Sequence, residues 1–317
     1  MSTQPLAIET RHLTKRYGSL VAVDSLSLAI PRGVVCGFIG PNGAGKTTTL
    51  RMLAGLLKPT SGEIRIEGVD ILAEPERIPW LIGYMPDFFG VYHDMKVWEY
   101  LDFFARAYRI PAARRPGLIA DLLELVDLSH KRDAFVQSLS RGMRQRLCLA
   151  HTLVHDPHVL LLDEPASGLD PRARVEMREL LRELGRMNKT VFISSHILTE
   201  LAELCDMVVI IEKGKLVTAG NVREISAMTQ GYRLLQVELL APDRDTPKAL
   251  ELLRQTPGVQ DVFTTDDHLE IAFAGDAAQQ AALLERLIHA GISVLTFGEA
   301  TTDLEDLFLQ LTKGEVQ

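Results

Sequence analysis

Gly40-Pro41-Asn42-Gly43-Ala44-Gly45-Lys46-Thr47 fits the pattern G-x-x-x-x-G-K-[ST] at every position. Its flanks give it meaning. Residues 34–39 form a short apolar run that reads as a buried strand. Residues 47–57 read as a helix. Strand, glycine-rich loop and helix in that order open a β-α-β unit. Glycines let the backbone curl so that successive N–H groups point at one anion. The helix adds its positive N-terminal end. A lysine reaches the outer phosphates, and a threonine hydroxyl suits Mg²⁺. Gly40, Pro41, Asn42, Gly43, Ala44, Gly45, Lys46, Thr47 and Thr48 are therefore candidate phosphate-binding residues, with Thr47 also a candidate metal ligand.

Further along, Val159-Leu160-Leu161-Leu162 lies between Pro157 and Asp163. So short and apolar a run reads as a central parallel strand buried on both faces. Asp163 then sits where such a strand opens on a ligand crevice. There it can hold Mg²⁺, and Glu164 beside it can polarise an attacking water. Residues 190–194 and 207–211 read as two more buried strands, and 172–186 as a helix. Residues 86–155 are mostly helical, with 97–107 and 118–126 repeating apolar side chains at three- and four-residue steps and 147–154 forming a further helix. Before the loop, residues 6–10 and 26–30 read as strands.

Composition narrows the class. The chain has 317 residues, 46% of them apolar and 24% charged, with a net formal charge of −8. That excludes global disorder and gives a prior of about two domains. The charge is uneven: residues 221–317 hold 7 basic and 16 acidic side chains. An acidic appendage argues against a nucleic-acid partner, which needs a basic surface. Cys36, Cys148 and Cys205 are scattered and odd in number, which fits a reducing cytosol. No apolar stretch reaches 18 residues, and the N-terminus carries no secretory pattern. Any membrane association is expected to go through a partner.

Together these residues resemble the ATP-binding subunits of ABC transporters, over about residues 5–220. Leu139-Ser140-Arg141-Gly142-Met143 looks like the family's signature LSGGQ, with Arg141 and Met143 in place of Gly and Gln. The resemblance implies a P-loop NTPase (ABC ATPase) α/β core at 1–220 with a helical subdomain at about 86–155. It implies ATP and Mg²⁺ as cofactors. It also implies two subunits, expected to be identical, pairing head to tail so that each ATP meets one cradle and the partner's Ser140 and Gly142. Tyr17 takes the place of the aromatic that stacks on adenine. Asp170, in Ser167-Gly168-Leu169-Asp170, lies in the stretch that links the two sites. His196 takes the place of the γ-phosphate-sensing histidine. Asp87 stands where the family has a glutamine, as a candidate catalytic and metal-facing oxygen or else a capping residue.

Beyond residue 220 the expected order is β-α-β-β-α-β: strands at 232–240, 259–264, 269–273 and 292–297, helices at 247–255 and 276–290, with Asp245 or Thr246 capping the first. This predicts a ferredoxin-like α+β domain at 221–317 that ends in a helix from Thr302. The resemblance extends to appendages of this kind on ATPases that export drugs, lipids or polysaccharides. It implies export through a separate membrane permease, received near the patch at 88–92, on the cytoplasmic face of the cell membrane. Two alternatives are a soluble ABC ATPase acting on nucleic acid or ribosomes, and a nucleotide-binding partner with weak catalysis. Glu164 and His196 argue against the second. His151 and His155, four residues apart on a helix, lack a third metal ligand, and Arg141, Arg144 and Arg146 read as a solvated helix face.

Overall fold

The computed structural model describes residues 5–87, 90, 94–195, 201, 204–221, 225, 233–264 and 268–299. His196, the patch at 88–89 and 91–92, and the terminal helix expected from Thr302 lie outside the described residues. The chain divides into two compact units, with the break between Ala219 and Gly220.

In the first unit, β1 (Leu6–Tyr17) and β2 (Leu20–Pro31) form an antiparallel pair whose turn is made at Gly18. Then come β3 (Val35–Ile39), α1 (Lys46–Leu53), β4 (Ser61–Ile66), β5 (Val69–Asp70), the one-turn α2 (Ile78–Leu81) and β6 (Ile82–Met85). Three helices follow: α3 (Val97–Ala107), α4 (Arg115–Leu125) and α5 (Arg141–Thr152). The unit closes with β7 (Val159–Asp163), α6 (Pro171–Arg186), β8 (Thr190–Ser195), β9 (Met207–Glu212) and β10 (Lys215–Gly220).

These strands make two sheets. One is antiparallel, in the order β2-β1-β4-β5. The other runs β10-β9-β3-β8-β7-β6, with β9, β3, β8, β7 and β6 mutually parallel. All five residues of β3 and of β7 are buried, and all six of β8, as strands covered on both faces should be. α1 is wrapped between the sheets. Its Leu50, Met52 and Leu53 share one core with Phe38, Leu161 and Phe192 of the parallel sheet and with Ile8, Leu13 and Ile64 of the antiparallel one. α6 buries Met177, Leu181 and Leu184, one helical face. Burying each such side chain contributes about 1.5–3 kcal/mol.

Two local readings of the sequence are corrected. α5 begins at Arg141 rather than 147, because Ser140 is extended and its Oγ accepts a hydrogen bond from Met143 N at 3.2 Å, making it the N-cap. The sequence pattern does not announce the strands β4, β5, β6 and β10: β5 and β6 are very short, and β4 and β10 lack the continuous buried run of the central strands. His151 and His155 are packing residues. The His155 ring stacks on Tyr108 at 4.0 Å and its Nε2 lies 2.9 Å from Ile82 O, while His151 lies against Phe104 at 4.3 Å. Burial pushes the His151 imidazole down to about 4.

The second unit runs β11 (Arg233–Leu239), α7 (Pro242–Arg254), β12 (Val259–Thr264), β13 (Leu269–Phe273), α8 (Ala277–His289) and β14 (Val294–Glu299). Its antiparallel sheet has the order β12-β13-β11-β14, a split β-α-β arrangement. Leu235, Val237, Ile271, Phe273, Leu253, Leu283 and Leu287 make its core. α7 starts at Pro242, five residues before the expected start, because Pro242 supplies the pre-set φ of a first helical position. Asp245 is thus not a cap of its own helix. It is fully buried, held by the Arg244 guanidinium at 2.8 and 2.9 Å and accepting from Ser293 N at 3.1 Å. Arg244 and the Ser293 N–H hold its carboxyl down at about 2. α8 carries a capping box between Asp276 and Gln279.

Candidate nucleotide site

Four parallel strands of the first unit end at one place. β3 delivers the loop 40–45, β7 delivers Asp163 and Glu164, β8 delivers Ser194, and Asp87 follows just past β6. The register aligns them: Asp163 faces Ser194 across β7 and β8, and Phe38 faces Ser194 across β3 and β8. In open α/β sheets ligands bind at the carboxyl ends of the strands.

The loop needs glycine at two positions for reasons of space. Gly45 has φ 103°, and a Cβ there would lie 2.5 Å from Ala22 O. A Cβ on Gly40 would lie 2.5 Å from Ile211 O. The hairpin β1–β2 and strand β9 thus press the loop from two sides. No side chain caps α1, so the amides of its first turn are left to a ligand. The buried Lys46 ammonium donates to Gly40 O at 2.6 Å and Pro41 O at 3.3 Å and lies 3.8 Å from Glu164 Oε1. Burial lowers its pKa, against the opposing pull of Glu164 and Asp163.

Asp163 is almost wholly buried, which an ionised carboxylate tolerates only with partners. Its Oδ1 accepts from Ser194 Oγ at 2.6 Å and from Thr47 Oγ1 at 3.2 Å. These hard oxygens at the foot of the phosphate loop suit Mg²⁺. Among the described residues there is no cluster of three or more His, Cys, Asp or Glu able to hold a metal. A two-oxygen protein share, completed by phosphate oxygens and water, is how Mg²⁺ is usually held. Glu164 takes a positive φ of 51°, and its N–H is fixed by Ser194 Oγ at 3.1 Å and Ser194 O at 3.2 Å. That bend turns the side chain out of the sheet beside the loop.

A cavity of about 470 Å³ gathers Tyr17, Pro41, Asn42, Gly43, Gly45, Lys46, Thr47, Thr48, Asp87 and Glu164. Tyr17 is half exposed at one end, with Lys15 Nζ 5.2 Å from its ring centroid. Gly40 and Ala44 stand behind the cradle, Gly40 supplying the carbonyl that holds Lys46 and Ala44 packed in the core. Leu20, Ala22 and Ser167 line the cavity too, and sequence reading missed them, as it missed the Ser194 hydroxyl on Asp163. Only the alternation of a hairpin could have suggested Leu20 and Ala22.

Ser140, Gly142 and Asp170 are not brought to this cavity. They line a separate depression of about 580 Å³, at the N-termini of α5 and α6. Asp170 caps α6 by accepting from Ala173 N at 3.3 Å.

Residues 23–167 match the family model described as "ABC transporter". The chain is 38% identical to the bacitracin transport ATP-binding protein of Bacillus licheniformis, over 97% of each chain. It is 37% identical to the Nod factor export ATP-binding protein I of Ralstonia nicotianae, over all of this chain and 96% of that one. Among solved structures, an ATP-binding subunit of an ABC transporter superposes on 70% of this chain and 92% of its own, with a TM-score of 0.64 and 28% identity. A phosphate loop, a buried Asp–Thr–Ser constellation and a glutamate at its edge are what binding and hydrolysing ATP require, and with relatives matched from end to end the chain belongs to the ATP-binding subunits of ABC transporters, enzymes whose ATP hydrolysis drives transport.

Proposed function

We propose that this subunit energises export through a separate membrane permease, working as one of a pair of ATPase subunits on the cytoplasmic face. The observation that carries the export reading is the match to the Nod factor export protein over the whole chain, appendage included. Among the described residues no helix is long and apolar enough to cross a membrane, which is in keeping with a cargo path on another chain.

The geometry of the described residues supports the following roles. The loop amides and Lys46 bind the phosphates, and Tyr17 offers a flat face to the base. Thr47 and Asp163 would hold Mg²⁺, which supplies charge neutralisation between the outer phosphates. Glu164 orients and polarises the attacking water. The depression at Ser140 and Gly142 presents two helix N-termini to an anion. Its separation from the cradle of the same chain supports a nucleotide shared between two chains paired head to tail. His196 is assigned as the γ-phosphate sensor on the family resemblance alone. The second unit, 220–311, is assigned an accessory or regulatory part.

Asp87 is exposed at the cavity edge, next to the helical region where a permease would press. A carboxylate there accepts but cannot donate as an amide does. In vesicles holding its partner permease, the wild type should hydrolyse ATP several-fold faster than alone. The variant Asp87→Ala should keep its basal rate and lose most of that stimulation. Equal stimulation of both makes Asp87 structural, and no stimulation of either removes the permease.

A further inference from the structure

Arg141 is the signature residue that departs from the family's glycine, and its side chain is engaged. Nη2 donates to Ser167 O at 3.0 Å. The flat of the guanidinium lies on Gly168, occupying the place where a side chain on that residue would begin. Gly168 also has φ +65°, so both its backbone and its cover call for glycine. The two residues that Arg141 touches face different ways: Ser167 lines the nucleotide cavity and Gly168 the signature depression.

The contact continues inward. Ser167 N donates to Glu164 O at 3.0 Å, and Glu164 N is held by Ser194. Two consecutive hydrogen bonds therefore run from the first turn of α5 to the backbone of Glu164, and a third ties that backbone to Ser194. A glycine at 141 has no atoms to make the first link. A guanidinium makes it with a charged donor on a rigid plane, stronger than a neutral donor would be.

We infer that Arg141 is a positioning residue, tying the signature end of α5 to the loop that carries Glu164, so that what the signature meets is felt by the glutamate of the same chain. This rests on the paired reading above. In a pair, the nucleotide that one chain's signature meets lies in the partner's cradle, so Arg141 links the two hydrolysis sites.

The test is the ATP dependence of hydrolysis by the full-length chain, for wild type, Arg141→Gly and Arg141→Lys. Glycine is the family's usual residue there, and lysine guards against a folding defect. The wild type should give a sigmoidal curve, with a Hill coefficient between about 1 and 2 for two coupled sites. Arg141→Gly should be hyperbolic, with kcat lower by roughly three- to tenfold. Its affinity for a fluorescent ATP analogue without magnesium should be unchanged, because the cradle is intact. Arg141→Lys should recover part of both kcat and sigmoidicity, since an ammonium can still reach the carbonyl. Wild-type cooperativity and kcat in Arg141→Gly overturn the inference, and so does a loss confined to nucleotide affinity. A hyperbolic wild type overturns the inference too, and the paired reading then stands or falls separately, on whether Glu164→Gln elutes as a dimer with magnesium ATP.

Discussion

Replacing Glu164 by glutamine should slow ATP turnover by about 10²–10⁴-fold while leaving ATP binding in place. The size of the effect follows from how little else changes. Glutamine has the shape of glutamate and accepts the same bent backbone, φ 51°, held by Ser194. It keeps the packing of a side chain only 14% exposed. What it loses is the negative oxygen that can draw a proton from water, together with the attraction across 3.8 Å to Lys46. The lost charge also lay beside the triphosphate, so nucleotide affinity should hold or rise. With magnesium ATP, the variant should elute as a dimer in size exclusion, because the bond whose cleavage frees the pair stays intact. Full turnover would take Glu164 out of its role. A stalled variant that stays monomeric with saturating nucleotide would leave the base in place and remove the pairing.

The second large effect is expected at Lys46. The variant Lys46→Ala should bind ATP at least about a hundredfold more weakly, read by titrating a fluorescent nucleotide. A hydrogen bond from a charged donor contributes about 1.5–3 kcal/mol, and an ammonium between the outer phosphates makes more than one. Two costs add to that loss. Glu164 and Asp163 lose the cation that offsets them, as their opposing influence on the Lys46 pKa indicates. The carbonyl of the buried Gly40, which Lys46 holds at 2.6 Å, loses its donor. The fold should survive, because α1 is anchored by Leu50, Met52 and Leu53 between the sheets. Unchanged affinity in a folded variant would count against the cradle.

The cradle was readable because it is contiguous: eight residues carry the loop, the lysine and the metal hydroxyl, and an apolar strand announces them. Asp163 and Glu164 were readable only beside the cradle: an apolar strand that ends in two acids can be an ordinary strand-to-loop junction, and the phosphate loop is what makes it the edge of a ligand crevice. The bond from Ser194 to Asp163 was not readable. It depends on which residue of β8 falls opposite β7, and register is a property of the sheet rather than of either strand. Helix starts failed where two signals competed. Pro242 and Pro247 both offered a first turn, and the earlier one prevailed, placing Asp245 inside the helix and against β14. At α5 the apolar pattern begins at 147, but the backbone is already helical from Arg141 because Ser140 caps it. Arg141 is the sharpest case: in sequence it reads as one of three solvated arginines, and only the fold shows Ser167 and Gly168 lying under it.

The three cysteines bear on how these ideas can be pursued. Cys36 and Cys148 are buried, Cys205 packs against the Gly37 backbone, and burial pushes all three thiols well above their ordinary range. A buried sulfur that does not ionise near neutrality reacts slowly with maleimides and methanethiosulfonates. Cys36 and Cys148 are therefore a quiet background for site-directed labelling, and the partly buried Cys205 is the thiol to replace. A single cysteine placed beside the signature depression would then carry the spin label or dye, and the opening and closing of a pair could be followed with the two buried sulfurs left in place.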